Sequence, residues 1–339
     1  MKKSDTLKIS IIGAGGWGTT LANLLSAKGH STLLYVYERD QYELMKKERV
    51  NEKYLPGVPL EKELQLTTDL EEAFDFSEII LLVVPSHAMR SILTQVTPRK
   101  FQRKLFISAA KGIENDTLLR MSQVIQEITG AGEAQVSALS GPSHAEEVSR
   151  RIATAVVAAS TVLDTARRVR EIFRTDYFRV YSSTDLVGVE LGGALKNIIA
   201  IAAGIADGAG FGDNTKAALM TRGLVEMSRL GVAMGAQFTT FSGLSGMGDL
   251  IVTCMSRHSR NRFVGEQIGK GKTLKEVLAS MVMVAEGVKT TKSVHQLQKK
   301  FPVDTPICRE VYDVLFRNKN PLQAVRDLMT RDPKEEHPI

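Results

Sequence analysis

Two cysteines, Cys254 and Cys308, are all that the 339 residues contain. That number excludes a disulfide framework and fits a reducing compartment, so a cytoplasmic location is expected. The six histidines, at 30, 87, 144, 258, 295 and 337, form no i, i+4 pair and stand beside no cysteine cluster. No metal site is therefore expected. Long apolar runs are missing too. The longest, about 186 to 205, is broken by Glu190, Lys196 and Asn197, which a membrane span rarely tolerates. The opening MKKSDTLKISIIGAGG meets glycine within six apolar residues, which suits a first strand better than a signal peptide. Strong net charge is absent as well. A formal +6 suits acidic small molecules at least as well as nucleic acid. The basic run Ser256 to Arg262 has no interleaved aromatic residue, so no nucleic-acid partner is expected.

What remains is an ordinary globular composition, 43% apolar and 24% charged, in a chain long enough for two domains. Short β-branched runs at 7–13, 32–38, 78–84, 104–110 and 134–140 alternate with amphipathic stretches such as 19–28 and 117–129. A further strand pair is expected at 153–160 and 178–183. Strands separated by helices pair in parallel through right-handed crossovers, which gives an α/β fold with an open, doubly wound sheet. Beyond about 187 the strand signal stops. Helices are expected at 185–206, 214–234, 242–256, 260–270, 273–279, 287–299, 305–316 and 321–329. The expected organisation is a Rossmann-type NAD(P)-binding domain over 5–187 and an all-helical substrate and catalytic domain over 188–335, with a polar, frayed tail.

The sequence GAGGWG at 13–18 follows the first strand and opens a helix. Gly13 permits a tight turn, Gly15 lets the backbone approach a pyrophosphate, and Gly18 lets the helix pack on the strand. Glu38, twenty residues past Gly18, is placed to accept from an adenosine ribose. The adjacent Arg39 is suited to a 2′-phosphate instead, so NAD and NADP both stay open. Trp17, in the loop itself, either covers the cofactor or packs.

Ligands of such sheets lie beyond the carboxyl ends of the strands. Those ends carry Pro85-Ser86-His87, Lys111-Gly112 and Gly141-Pro142-Ser143. Lys111 is a cation aimed at the crevice or an ordinary loop lysine. Ser143 caps the following helix or touches a ligand, and a cap beside the cofactor can do both. His87 has no carboxylate paired with it by spacing, and no catalytic role is assigned to it.

The stretch ELGGALKN at 190–197 puts a lysine and an asparagine inside an apolar helix. Gly192, Gly193, Lys196, Ala200 and Gly204 fall near one helical face. Two glycines in a helix cost about 1 kcal/mol each against alanine, so a cofactor ring or a second helix must come close to the backbone there. Lys196 then either lays its stem on apolar surface with its head in water, or is held partly desolvated with a lowered pKa as a proton donor and acceptor. Asp249 and Thr253, after the glycine-rich 243–248, share one helical face. Ser259-Arg260-Asn261 offers a guanidinium and an amide at a helix start, suitable for a phosphate. Two lysines and an arginine at one crevice imply a small anionic substrate.

Taken together, GAGGWGT, VVPSH, AAKGIE, SGPSHAEE, GVELGGALKNIIAIAAGIADG, GMGDLIVTC, HSRNR and VAEG resemble the bacterial NAD(P)-dependent glycerol-3-phosphate dehydrogenase family, over nearly the whole chain. The resemblance implies reversible reduction of dihydroxyacetone phosphate to sn-glycerol 3-phosphate for glycerophospholipid synthesis. It implies Lys196 as proton donor and acceptor, and Lys111 shared by cofactor and substrate. Gly141, Ser143, Asn197, Asp249, Ser259, Arg260 and Asn261 fall on the substrate side, with Arg260 also near the dinucleotide. Gly16, Trp17, Tyr37, Ala145, Val284 and Glu286 fall on the cofactor side. Gly16 stands where the family often has serine, and Tyr37 where several members have a basic residue. A homodimer is expected from the many apolar faces of the helical half. The rivals are a β-hydroxyacid dehydrogenase of the same two-domain plan, which would want a carboxylate substrate, and a non-catalytic dinucleotide sensor, which would have no need of Lys196.

Overall fold

Side chains of the first strand, β1 (Lys8–Ile12), alternate between the two faces of a sheet, as strand geometry requires. Ile9 and Ile11 enter one core layer and Ile12 the other, while Ser10 donates to the Ala73 carbonyl at 2.5 Å. The computed structural model describes residues 6–281, 283–333 and 335–336. After β1 come α1 (Gly16–Ala27), β2 (Ser31–Tyr35) and α2 (Arg39–Glu48). A hairpin, β3 (Val50–Asn51) and β4 (Leu55–Pro59), precedes β5 (Gln65–Thr67), α3 (Leu70–Phe76) and β6 (Ile79–Leu82). Then follow α4 (Met89–Leu93), β7 (Leu105–Ser108), α5 (Met121–Thr129), β8 (Val136–Ser140) and α6 (Ala145–Val148). The strand region closes with β9 (Thr154–Ala159), α7 (Leu163–Phe173) and β10 (Phe178–Ser183).

The eight-stranded sheet has the order β10-β9-β8-β7-β6-β1-β2-β5. The chain steps outward from β1 to β2 and β5, then returns to β6 on the other side of β1. That reversal opens a crevice at the carboxyl ends of β1 and β6, where ligands of such sheets bind. The five strands expected to be parallel are so; β9 reverses the direction, pairing antiparallel with β8, and β10 runs parallel to β9. Three strands went unforeseen, β5 and the two of the hairpin β3–β4, as did the helix α7 between the last strand pair. The second strand also stops at Tyr35 rather than Glu38, and α5 begins at Met121 rather than 117. Left-handed Asp116 and Leu118 (φ 67° and 62°) keep the preceding residues out of the helix.

Every later element among the described residues is helical. The long α8 (Leu186–Gly208) is followed by α9 (Asp213–Ala233), α10 (Phe238–Phe241), a π-helical turn at Leu244–Gly248 and α11 (Asp249–Met255). The chain ends with α12 (Arg260–Gly269), α13 (Leu274–Ala279), α14 (Glu286–Lys300), α15 (Pro306–Phe316) and α16 (Pro321–Met329). The single helix expected over 242–256 is thus broken by the π turn. Residue 5, with which the first domain was expected to open, and 334 and 337–339 of the tail lie outside the described residues.

α8 is the axis of the helical half. It is long and apolar enough to cross a membrane, yet 94% of its most apolar window is buried inside the protein. α12 crosses it at backbone contact. A Cβ on Gly204 would lie 2.0 Å from the Arg262 carbonyl oxygen, and one on Gly265 2.0 Å from that of Ile201. Gly208 and Gly269 repeat this one turn further on, 2.1 Å from Glu266 O and 2.4 Å from Ile205 O. On α9, the buried Glu226 accepts from the amides of Ile307 and Cys308 at 2.8 and 3.1 Å, capping α15. Burial pushes its carboxyl up to about 7. Glu226→Ala strands two buried N–H groups and should cost roughly 2–4 kcal/mol. The check is a lower urea midpoint with an unchanged m-value.

Candidate active site

A cleft of about 610 Å³ runs along the strand ends into the helical half. One wall is the glycine loop. Gly13 has φ +114°, and a Cβ there would meet the Val83 carbonyl at 2.7 Å, so only glycine makes this turn beside β6. A Cβ on Gly18 would lie 1.9 Å from Gly13 O, which is the close helix–strand packing expected of it. Gly15 faces open space, with nothing within 4 Å of a Cβ. Gly15 also caps α1 without a side chain, and no acid occupies the first turn. An uncapped helix start behind an open glycine fits a dinucleotide pyrophosphate. Gly16 has a different reason: a Cβ there would lie 2.6 Å from Tyr54 O in the hairpin. Trp17 lines the cleft and also packs on Phe178, with ring centroids 6.3 Å apart, so both alternatives for it hold in part.

The chemistry sits where the sheet meets α8. Lys196 is 6% exposed. Its Nζ stands 2.9 Å from Asp249 Oδ1 and donates to Thr253 Oγ1 at 2.6 Å. From the sheet side, Lys111 Nζ donates to Asp249 Oδ2 at 2.6 Å and to the Gly141 carbonyl at 2.9 Å. One carboxylate therefore bridges two ammonium groups from different domains. Burial lowers the Lys196 pKa to about 8; Asp249 pulls against that shift and Lys111 adds to it. Burial would raise the Asp249 carboxyl, but the two lysines overrule it and hold the group below its usual value. Asp249 and Thr253 take two of the three Lys196 donors, which leaves one for a ligand.

The π turn positions this carboxylate. Its extra residue per turn is a common device at functional sites, and here Asp249 begins α11 directly from it. A Cβ on Gly192 would lie 2.5 Å from Ser245 O of that turn, and one on Gly193 2.6 Å from Ser140 Oγ at the end of β8. The large object that the glycine pair admits is thus protein, the π turn and the end of β8, and not a cofactor ring.

A second chain of bonds orders the neighbouring amides. Asn261 Nδ2 donates to Asn197 Oδ1 at 2.9 Å, and the Gly287 amide donates to Asn261 Oδ1 at 2.9 Å. Ser259 caps α12, accepting from Arg262 N at 3.2 Å. Arg260 lines the cleft, and its guanidinium makes no hydrogen bond among the described residues. Glu286 accepts from Ser86 N and Oγ at 3.1 and 2.5 Å, tying α14 to the end of β6.

Of the expected site residues, all but Gly141 line this one cleft. Gly141 is buried and reaches it through its carbonyl on Lys111. Ser143 is not a helix cap. His144 holds that position without a side-chain bond, while Ser143 Oγ donates to Gly141 O at 2.9 Å. Glu38 is not free either: Lys53 stands 2.6 Å from Oε2 and the Tyr54 hydroxyl donates to Oε1 at 3.1 Å. His87 is exposed and lies outside the cleft lining. Gln41, Tyr54, His144 and His258 line the cleft without having been singled out. The connection bearing Tyr54, 52–54, has no glycine or proline to signal a turn, and Pro56-Gly57 falls inside β4. Among the described residues no group of His, Cys, Asp and Glu is arranged to hold a metal.

Comparison with known proteins bears on the same residues. The family model for the NAD-dependent glycerol-3-phosphate dehydrogenase N-terminus matches residues 8–166, and that for the C-terminus matches 185–326. An NAD(P)+ glycerol-3-phosphate dehydrogenase of Citrifermentans bemidjiense is 54% identical over 330 residues, covering 97% of this chain and 98% of that one. One of Prosthecochloris aestuarii is 54% identical over 329 residues, covering 97% and 99%. The crystal structure of glycerol-3-phosphate dehydrogenase from Coxiella burnetii superposes with a TM-score of 0.90 at 37% identity, covering 96% of this chain and 99% of that one. With both halves matched and the sequence shared nearly end to end, this chain belongs to the NAD-dependent glycerol-3-phosphate dehydrogenase family.

Proposed function

We propose that Lys196 is the proton donor and acceptor in reversible reduction of dihydroxyacetone phosphate to sn-glycerol 3-phosphate. The observation that carries this reading is a buried lysine whose pKa is about 8, beside a carboxylate it shares with Lys111. The nicotinamide dinucleotide, NADH or NADPH, supplies the hydride. Gly13, Gly15, Gly16, Trp17, Gly18 and Ala145 hold it along the glycine loop and α6, and Tyr37, Glu38, Val284 and Glu286 hold it along the rim. In reduction, Lys196 Nζ gives a proton to the C2 oxygen of the ketone; in oxidation the neutral amine takes it from the alcohol. Asp249 orients both ammonium groups, and Asn197 with Asn261 fixes α8 against α12. Lys111, Arg260, Asn261, Ser143 and Ser259 meet the phosphate and its neighbouring oxygens, where a guanidinium and a helix start favour an anion.

The direct test is loss of reduced-nicotinamide absorbance with dihydroxyacetone phosphate against a β-keto acid. Turnover with the phosphate ester alone supports the reading, and preference for the carboxylate sinks it. The pH profile is a separate check. Reduction needs the ammonium form, so its kcat/KM falls as pH rises through about 8, and oxidation, which needs the amine, rises over the same interval. A flat profile from pH 6.5 to 9.5 in both directions contradicts the assignment.

We further propose that residues 5–187 bind the dinucleotide and 188–335 bear the substrate-side chemistry. The chain is proposed to act in the cytoplasm, supported by its two buried free cysteines, and to form a homodimer. Met247, Ile251 and Met255, exposed at helical spacing, support the dimer. Light scattering at micromolar concentration tests it.

A further inference from the structure

After β2 ends at Tyr35, the chain presents Tyr37 and Glu38 to the cleft before α2 begins. In this sheet type an acid at that place lies beside the adenosine ribose and accepts from its 2′-hydroxyl. Glu38 is held there by two residues of the hairpin connection, Lys53 and Tyr54. The hairpin is itself anchored to the glycine loop. Asn51, fully buried, donates to the Ala14 carbonyl at 2.9 Å and to Thr19 Oγ1 at 2.8 Å. Gln41 donates to the same carbonyl at 2.8 Å and to Asn51 Oδ1 at 3.0 Å. The carboxylate is therefore positioned by the element that closes over the phosphate loop.

A 2′-phosphate brings about −1.5 to −2 charges and three acceptor oxygens. It would meet a carboxylate, a charge of the same sign. Lys53 is already engaged by that carboxylate. Tyr37, 76% exposed, has no charge to give. Of the cations lining the cleft, Lys111 and Lys196 pair with Asp249, and Arg260 has Glu286 and Glu146 as its neighbouring charges. Arg39 is exposed and does not line the cleft.

We propose that Glu38, fixed by Lys53 and Tyr54, sets the cofactor preference of this chain, favouring NADH with its free 2′-hydroxyl over the 2′-phosphorylated NADPH. This rests on the reading of the cleft as a dinucleotide site. Lys53 moderates the effect by offsetting part of the Glu38 charge. Removing Lys53 therefore sharpens the preference, and removing the Glu38 charge frees Lys53 to meet the phosphate.

The test uses binding, not turnover. Trp17 is the only tryptophan and lines the cleft, so its fluorescence reports each dinucleotide directly. The full chain should bind NADH at least about tenfold more tightly than NADPH, as like-charge juxtaposition at a ligand site predicts. Glu38→Gln keeps the side-chain shape and should bring the two affinities within about threefold of each other, mainly by tightening NADPH. Lys53→Met should widen the gap, weakening NADPH more than NADH. Equal affinities in the unaltered chain, or the same ratio in Glu38→Gln, overturn the proposal. If neither dinucleotide changes the Trp17 signal nor shows heat of binding in calorimetry, the reading of the cleft fails first, and the proposal with it.

Discussion

Lys196→Met should lower kcat for ketone reduction by about a hundred- to ten-thousand-fold, the range of a lost general acid. Affinity for the dinucleotide, read by Trp17 fluorescence, should stay within about twofold. Methionine is chosen because it refills the buried stem without leaving a cavity. It also leaves Asp249 with a partner, since Lys111 remains 2.6 Å away. The variant thus removes a proton donor without stranding a charge, which alanine beside a buried carboxylate would confound. Lys111→Met gives the complementary result. Asp249 keeps Lys196, but the Lys196 pKa rises because the neighbouring cation that lowers it is gone. The midpoint of the pH profile should move upward from about 8. Full turnover in Lys196→Met would remove the proton-transfer role outright.

Gly265→Ala is the second large effect. Helix propensity alone favours alanine by about 1 kcal/mol. Against that, the new methyl carbon would sit 2.0 Å from Ile201 O and 2.8 Å from Ile205 N. Both obstacles are backbone atoms of α8 that cannot rotate away, so the helices must part. Overpacking of this kind costs about 3 kcal/mol or more, and the steric term wins. α12 carries Ser259, Arg260 and Asn261, so displacement also breaks the 2.9 Å bond from Asn261 to Asn197. We expect a clear drop in the denaturation midpoint together with a raised KM for the phosphate substrate. Gly223→Ala is the control. Its methyl would meet Ile199 side-chain carbons, the nearest at 2.6 Å, which can turn aside in part. Its loss should be visibly smaller. Equal losses would show that the crossing of α8 and α12 has no special intolerance.

Much of this was legible before any coordinates. The short β-branched strand runs, the glycine spacing at 13–18 and the position of Lys196 in an apolar helix all express local geometry that sequence reports directly. Asp249 and Thr253 were legible for the same reason, four residues apart on one helical face. The hairpin β3–β4 was not, because two- and five-residue strands carry no periodicity, and Asn51 is buried only by its tertiary partners. The π turn was not, because its glycines read equally as a loop. Ser143 misled: serine before a helix signals a cap, but here the chain starts its helix one residue later. The partner of the α8 glycines was legible only as a need for space. Gly265 and Gly269 repeat the spacing of Gly204 and Gly208, yet nothing local says that the two pairs meet.

The burial of α8 has a consequence for biosynthesis. Its Leu186–Gly208 stretch leaves the ribosome before α9, α11, α12 and α14, which supply most of its cover, have been made. Until roughly a hundred further residues emerge, a nascent chain displays a greasy segment that matches what membrane-insertion and chaperone machineries select. The charged Lys196 and Glu190, which form ion pairs in the finished enzyme, are at that stage marks against insertion. The side chains that serve catalysis and domain contact thus also keep a half-made polypeptide out of the bilayer.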